Sequence, residues 1–103
     1  MELNLENGYT LHNPSADHIV GALCALPAGE GSFVILIREE HRFMQACGSW
    51  KEGFELEYQD GSIDKHFRCE KKLSLDDVSI AFRSFLYEDG RWRDAFIWKR
   101  LEL

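Results

Sequence analysis

Gly53-Phe54-Glu55-Leu56-Glu57-Tyr58-Gln59-Asp60-Gly61-Ser62 is the stretch whose reading decides the fold class. Phe54, Leu56 and Tyr58 alternate with Glu55, Glu57 and Gln59, which is the period of a β-strand with one apolar and one polar face. Asp60-Gly61-Ser62 is turn chemistry and predicts a hairpin into a strand holding His66 and Phe67. With a two-residue loop, Tyr58 faces Ile63, Phe54 faces Phe67, and Glu55 lies opposite His66 on the polar face. Lys65 then falls among apolar positions, which calls for a bulge or an edge position.

Upstream, Ser32 to Arg38 encloses the run Phe33-Val34-Ile35-Leu36-Ile37. Its lack of alternation predicts a central strand covered on both faces. Glu39-Glu40-His41 is a polar turn, and Arg42 to Gly48 reads as the returning strand. Gly48 to Gly53 is a loop that carries Trp50. Further back, Asn13-Pro14-Ser15 announces a helix over about 15–26, capped by Asn13 or Ser15. Ile19, Ala22, Leu23 and Leu26 repeat at helical spacing until Pro27 and Gly29 stop it. Before that, Leu3, Leu5, Tyr9 and Leu11 alternate around Asn7-Gly8 as a short hairpin.

Downstream, Ser74-Leu75-Asp76-Asp77 is a capping box with Asp in place of Glu, and its carboxylates lie at the positive end of a helix dipole. Leu75, Val78, Phe82, Phe85 and Leu86 form the apolar stripe of a helix over about 75–88, stopped at Asp89-Gly90. Ala95 to Leu101 reads as a last strand, with Phe96 and Trp98 on one face and Ile97, Lys99 and Leu101 on the other. The order is β-hairpin, α, four strands, α, β. Consecutive strands with short connections imply an α+β fold, a mostly antiparallel sheet with two helices packed on it, formed as a single domain over residues 1–103.

The chain has 103 residues, 45% of them hydrophobic and 29% charged, a globular balance at a length that supports one core. Its longest strongly apolar run is far shorter than the roughly 20 residues of a membrane span. The acidic N-terminus Met1-Glu2-Leu3-Asn4-Leu5-Glu6 lacks the basic and apolar regions of a secretory signal, so a cytoplasmic location is expected. The formal charge is −6, and no Lys or Arg precedes Arg38. That balance argues against a nucleic-acid partner, which needs a basic face, and favours a basic protein.

Chemistry is harder to find. Cys24, Cys47 and Cys69 are odd in number and widely spaced, and read as reduced, buried, small apolar residues. Gly29-Glu30-Gly31-Ser32 lacks the Lys-Ser/Thr of a phosphate loop and precedes a strand, so it reads as a structural turn. His66 and Cys69 are three apart on a strand, hence on opposite faces, and no second pair completes a metal site. His12, His18 and His41 fit solvated or capping roles, and His66 an ordinary cross-strand pair. No catalytic residue, metal ligand or cofactor is expected.

Two features suggest a binding surface. Glu39, Glu40, Glu52, Glu55 and Glu57 form one negative field if the sheet brings them together, although a merely solvated face explains the same alternation. Trp50 in a Gly-rich loop and Trp92 between two arginines are candidate interface anchors, with packing over a sheet edge as the plainer reading. Trp98 reads as core.

Taken together, Gly53 to Ser62, Lys65-His66-Phe67, Leu73 to Val78 with Ala81-Phe82 and Phe85-Leu86, and the late Trp92 and Trp98 carry a family resemblance. So do Asn13-Pro14-Ser15, Ser32 to Leu36 and Phe43-Met44-Gln45-Ala46 upstream. Over about residues 10–98 the chain resembles the Imm1-type immunity proteins of bacterial polymorphic toxin systems. The resemblance implies a small cytosolic protein that binds a cognate toxin domain, often a nuclease or nucleic-acid deaminase, and blocks it without turnover. On that reading the partner is a basic protein contacted through Glu39, Glu40, Trp50, Glu52, Glu55, Glu57 and Trp92, and the chain is a monomer or weak dimer. The alternative is an accessory domain that self-associates or binds a small ligand.

Overall fold

The computed structural model describes residues 1–26 and 32–101. The expected turn at Gly29-Glu30-Gly31 and the stop at Pro27 lie outside the described residues. Seven strands run β1 Glu2–Leu5, β2 Thr10–His12, β3 Phe33–Glu39, β4 Arg42–Ser49, β5 Gly53–Asp60, β6 His66–Cys69 and β7 Trp98–Arg100. They form one sheet in the order β2-β1-β3-β4-β5-β6-β7, and every neighbouring pair is antiparallel. The helices are α1 Ala16–Ala25, α2 Leu75–Tyr87 and α3 Arg91–Ala95. The expected α+β fold and its element order hold, with one helix more than the periodicity reveals.

Each main helix starts where the capping chemistry places it. The Ser15 hydroxyl accepts from the His18 N–H, and the His18 ring accepts from the Ser15 N–H, closing a reciprocal box at the start of α1. The Ser74 hydroxyl accepts from the Asp77 N–H at the start of α2. That helix ends at Glu88 in the left-handed region, φ 59°. A non-glycine residue there marks an abrupt stop. The chain then turns through Gly90, φ 73°, directly into α3. Five residues are too few for helical periodicity to register, so Arg91 to Ala95 carries no sequence signal, and the last strand is shorter than the Ala95–Leu101 expected.

Both long helices pack on the same face of the sheet. Leu3, Val34, Leu36, Met44, Ala46, Phe54 and Leu56 from the strands meet Ile19, Leu23, Val78 and Phe82 from the helices, all essentially without solvent contact. Around Tyr58 an aromatic cluster extends this core. Tyr58 stacks on Phe67 at 4.9 Å between ring centroids, and Trp92 and Trp98 meet it edge-on at 4.5 and 4.7 Å. Such offset and edge-to-face pairs are the arrangements the ring quadrupole favours.

Three expectations need correction. First, β3 is not covered on both faces: Val34 and Leu36 are buried, whereas Phe33, Ile35 and Ile37 are half-buried on the side away from the helices. The apolar run hides an ordinary alternation, and the middle of the seven strands is β4. Second, the β5–β6 connection is longer than two residues, because Ile63–Lys65 forms a 3-10 turn. The register therefore pairs Tyr58 with Phe67 and Gln59 with His66, and Glu55 lies across from Cys47 instead of His66. Lys65 sits in that turn, so no bulge is needed there. Third, Cys24 is exposed, Cys47 is half-buried and only Cys69 is buried. Cys24 lies on the outer side of α1, a helix of ten residues, which a coarse apolar count does not resolve.

One glycine is obligatory. Gly48 has φ 119°, and a Cβ built on it falls 2.3 Å from the Gly53 carbonyl oxygen across the β4–β5 hairpin. A side chain there faces both a strained backbone and a steric overlap.

Candidate partner-binding face

Residues paired across an antiparallel sheet share a face, so the register fixes what the uncovered side presents. One row across it is Glu2, Ile37, Phe43, Gln59 and His66. The next is Asn4, Ile35, Gln45, Glu57, Arg68 and Lys99, and Phe33, Cys47 and Glu55 follow. The centre, on β3 and β4, is thus apolar: Phe33, Ile35, Ile37 and Phe43, each half-buried by its neighbours alone. The β5–β7 flank is charged and carries both signs. No described helix lies over this side.

The His66 side chain organises that flank. Its Nε2 meets Glu57 Oε1 at 2.6 Å and its Nδ1 meets Gln59 Oε1 at 3.2 Å. Gln59 Nε2 in turn donates to the His41 carbonyl at 3.2 Å, which fixes the amide orientation and leaves Oε1 toward the imidazole. Both ring nitrogens therefore face acceptors. The His66 and Glu57 side chains are 13% and 16% exposed, so this is a half-buried hydrogen-bonded pair in place of the exposed pair expected with Glu55. Its two side-chain partners, Glu57 and Gln59, both belong to β5. Burial chiefly pushes the Cys47 thiol above its ordinary value; the Gln45 hydrogen bond opposes it, and the charges of Glu57 and Glu55 add to the rise against a smaller lowering by Arg68. A thiol so placed is a poor nucleophile.

The expected site residues do not converge on one spot. Glu39 ends β3 and Glu40 lies in the β3–β4 turn, where its carboxylate approaches His41 at 3.5 Å. Trp50 and Glu52 sit in the β4–β5 turn, and the Glu52 N–H donates to the Ser49 hydroxyl. Eight residues of β4 separate the two turns, roughly 25 Å at strand spacing. One continuous negative field from Glu39 to Glu52 is therefore not formed. Glu55 and Glu52 are exposed near Trp50, itself 63% exposed, at one end of the uncovered face. Glu57 is engaged with His66, and Arg68 lies across from it.

Trp92 is a correction. It is 4% exposed and packs among Tyr58, Phe85 and Trp98 on the helix side of the sheet, so its indole is not presented to a partner. The arginines on either side of it, Arg91 and Arg93, are exposed. Conversely, Phe33, Ile35 and Ile37 belong to the run expected to be covered on both faces, and Phe43 to the returning strand, for which no face is singled out. The signal that finds them is a count of layers, because two helices of 10 and 13 residues span only one face of a seven-stranded sheet.

Among the described residues no group of three or more His, Cys, Asp or Glu is placed to hold a metal ion. No described helix is long and apolar enough to cross a membrane. Comparison with protein-family models, with curated proteins and with solved structures gives no match.

Proposed function

We propose that the chain is a non-catalytic immunity protein that docks a toxic nuclease or nucleic-acid deaminase domain in the cytoplasm through the uncovered face of its sheet. The observation carrying this reading is the apolar centre of that face, Phe33, Ile35, Ile37 and Phe43, with no described helix over it and exposed Glu55 at its border. Apolar centres with polar rims are the anatomy of protein interfaces. The net charge of −6 favours association with a basic partner, such as a domain that handles nucleic acid. Trp50, exposed at the end of the same hairpin, is the anchor best placed to add binding energy.

Co-expression with the toxic domain encoded beside this chain tests the proposal. Survival that depends on the intact chain supports it, and death despite abundant folded chain removes it. Self-association uses the same apolar strip and is the competing reading, so sedimentation of the chain alone separates them. A monomer at micromolar concentration supports a foreign partner, and a tight dimer favours the competitor.

A further inference from the structure

On the helix side of the sheet, at the end holding the β3–β4 turn, three arginines surround a surface cavity of about 140 Å³. Arg38 rises from β3 at the register shift between Ile37 and Glu39, Arg42 opens β4, and Arg93 comes from α3. Tyr58, Phe85 and Trp92 line the inner wall, and Asp60 and Glu88 supply the carboxylates. Three guanidinium groups against two carboxylates leave one positive charge in a chain whose net charge is −6. A concave basic spot in an acidic protein runs against the overall composition.

The three groups are held in place by contacts that leave donors free. The Arg38 guanidinium lies 4.8 Å above the Phe85 ring and donates through Nη2 to the Phe85 carbonyl, which covers the negative end of α2 with a cation. Its Nε is 3.1 Å from Glu88 Oε1 but out of line for a hydrogen bond. The Arg93 guanidinium sits 4.7 Å over the Trp92 ring. Arg42 and Arg93 reach opposite oxygens of Asp60 only at 3.5 and 3.6 Å. The Nε of Arg42 is buried with no hydrogen-bond partner among the described residues, while that of Arg38 has the Glu88 carboxylate as its ion-pair partner. An unpaired donor on a charged group costs stability, so Arg42 in the cavity wall favours an added acceptor once its side chain turns toward the opening.

We infer that this cavity is a binding site for a single phosphate group. Guanidinium forks match phosphate oxygens bidentately, and three forks arriving from β3, β4 and α3 suit a tetrahedral anion better than a planar carboxylate. The carboxylate place between Arg42 and Arg93 is already filled by Asp60. The cavity, about 140 Å³ and open to solvent on one side, has room for a phosphate group. Glu88 is 60% exposed and sits at a helix end, so it can swing aside for an incoming anion. The site lies across the sheet from the docking face, and the inference stands whether or not that face binds a toxin.

The test is an NMR titration of the full chain with inorganic phosphate, following the Nε–Hε signals of Arg38 and Arg42 against sodium chloride at matched ionic strength. Saturable one-to-one shifts of both signals with phosphate, and not with chloride, are expected. Arg93→Gln should weaken binding about tenfold, the effect of losing one charge-assisted contact, while Glu88→Gln should tighten it. O-phosphoserine separates the sources: binding as tight as that of the free ion assigns the site to phosphoryl groups on larger ligands, and much weaker binding assigns it to the free ion. Acetate should bind at least about tenfold more weakly than phosphate, since it matches one fork only. The inference is overturned by linear, unsaturated shifts with phosphate, by acetate binding equally well, or by a folded Glu88→Gln chain that binds no tighter. That last variant decides the matter should Arg93→Gln fail to fold.

Discussion

Trp92 and Trp50 look alike in the sequence, each beside basic residues near a glycine, yet the structure gives their replacement by alanine opposite consequences. Trp92 is 96% withdrawn from solvent, given its 4% exposure, and contacts Tyr58, Phe85 and Trp98 edge-on at 4.5, 5.7 and 5.8 Å. Burial of an indole of about 200 Å² at about 25 cal/mol per Å² gives ~5 kcal/mol, and truncation of buried Phe or Trp costs about 3–5 kcal/mol in practice. The three edge contacts move Trp92→Ala to the upper part of that range. For a domain of this size each kcal/mol is worth about 4–8 °C of melting temperature, so a loss of at least about 15 °C follows. Trp50, 63% exposed in a turn, should change stability by no more than about 0.5 kcal/mol. Urea unfolding followed by circular dichroism measures both. A Trp92→Ala penalty below about 1.5 kcal/mol, or a Trp50→Ala penalty above about 2 kcal/mol, would show that the two indoles are not placed as described.

Ser84 and Asp89 supply a second test, because the buried Ser84 hydroxyl accepts from the Trp92 N–H at 3.1 Å and donates to the Asp89 carboxylate, which also accepts from the Arg91 N–H. Ser84→Ala leaves the Trp92 N–H unpaired and should cost about 1–3 kcal/mol by urea unfolding, whereas a near-zero effect would mean that α3 does not depend on this link. The Ser84 hydroxyl first, and then the Arg91 N–H, hold the Asp89 carboxyl below its ordinary value. Its contribution is therefore present above the ordinary carboxylate pKa and lost as pH falls through the lowered one, so the stability gap between the parent chain and Asp89→Asn should close in strong acid; a gap independent of pH contradicts the link. Gly48→Ala should cost more than about 2 kcal/mol, combining a strained φ of 119° with an overlap at 2.3 Å, and an innocuous substitution would mean that the β4–β5 hairpin is looser than drawn. Iodoacetamide should modify exposed Cys24 well before Cys47 and Cys69, and mass mapping that finds Cys47 first would contradict its shielded place on the sheet.

The fold was legible where local chemistry and period agreed. Ser15 and Ser74 announce their helices through hydroxyls that do cap them, and Phe54, Leu56 and Tyr58 do face the core. Register was not legible, because three residues of 3-10 turn after Ser62 shift every pair of the β5–β6 hairpin and exchange Glu55 for Gln59 opposite His66. The site was half legible. Exposed Trp50 and Glu55 follow from turn and alternation, but the uncovered strip proposed for docking lies in residues apolar enough to pass for core. Phe33, Ile35 and Ile37 alternate with Val34 and Leu36, and hydrophobicity alone does not tell a face under helices from a face awaiting a partner. Trp92 shows the reverse error, in which charged neighbours suggest exposure while tertiary packing buries the ring.

The central claim is that the uncovered sheet face takes a protein partner, and hydrogen exchange on the complex with the neighbouring-encoded toxic domain tests it most directly. Slowed exchange over β3, β4 and the Trp50 turn, with α1 and α2 unchanged and with binding weakened at least about tenfold by Phe43→Asp, is the predicted result. Protection confined to the outer surfaces of α1 and α2, with Phe43→Asp folded and binding normally, would contradict it.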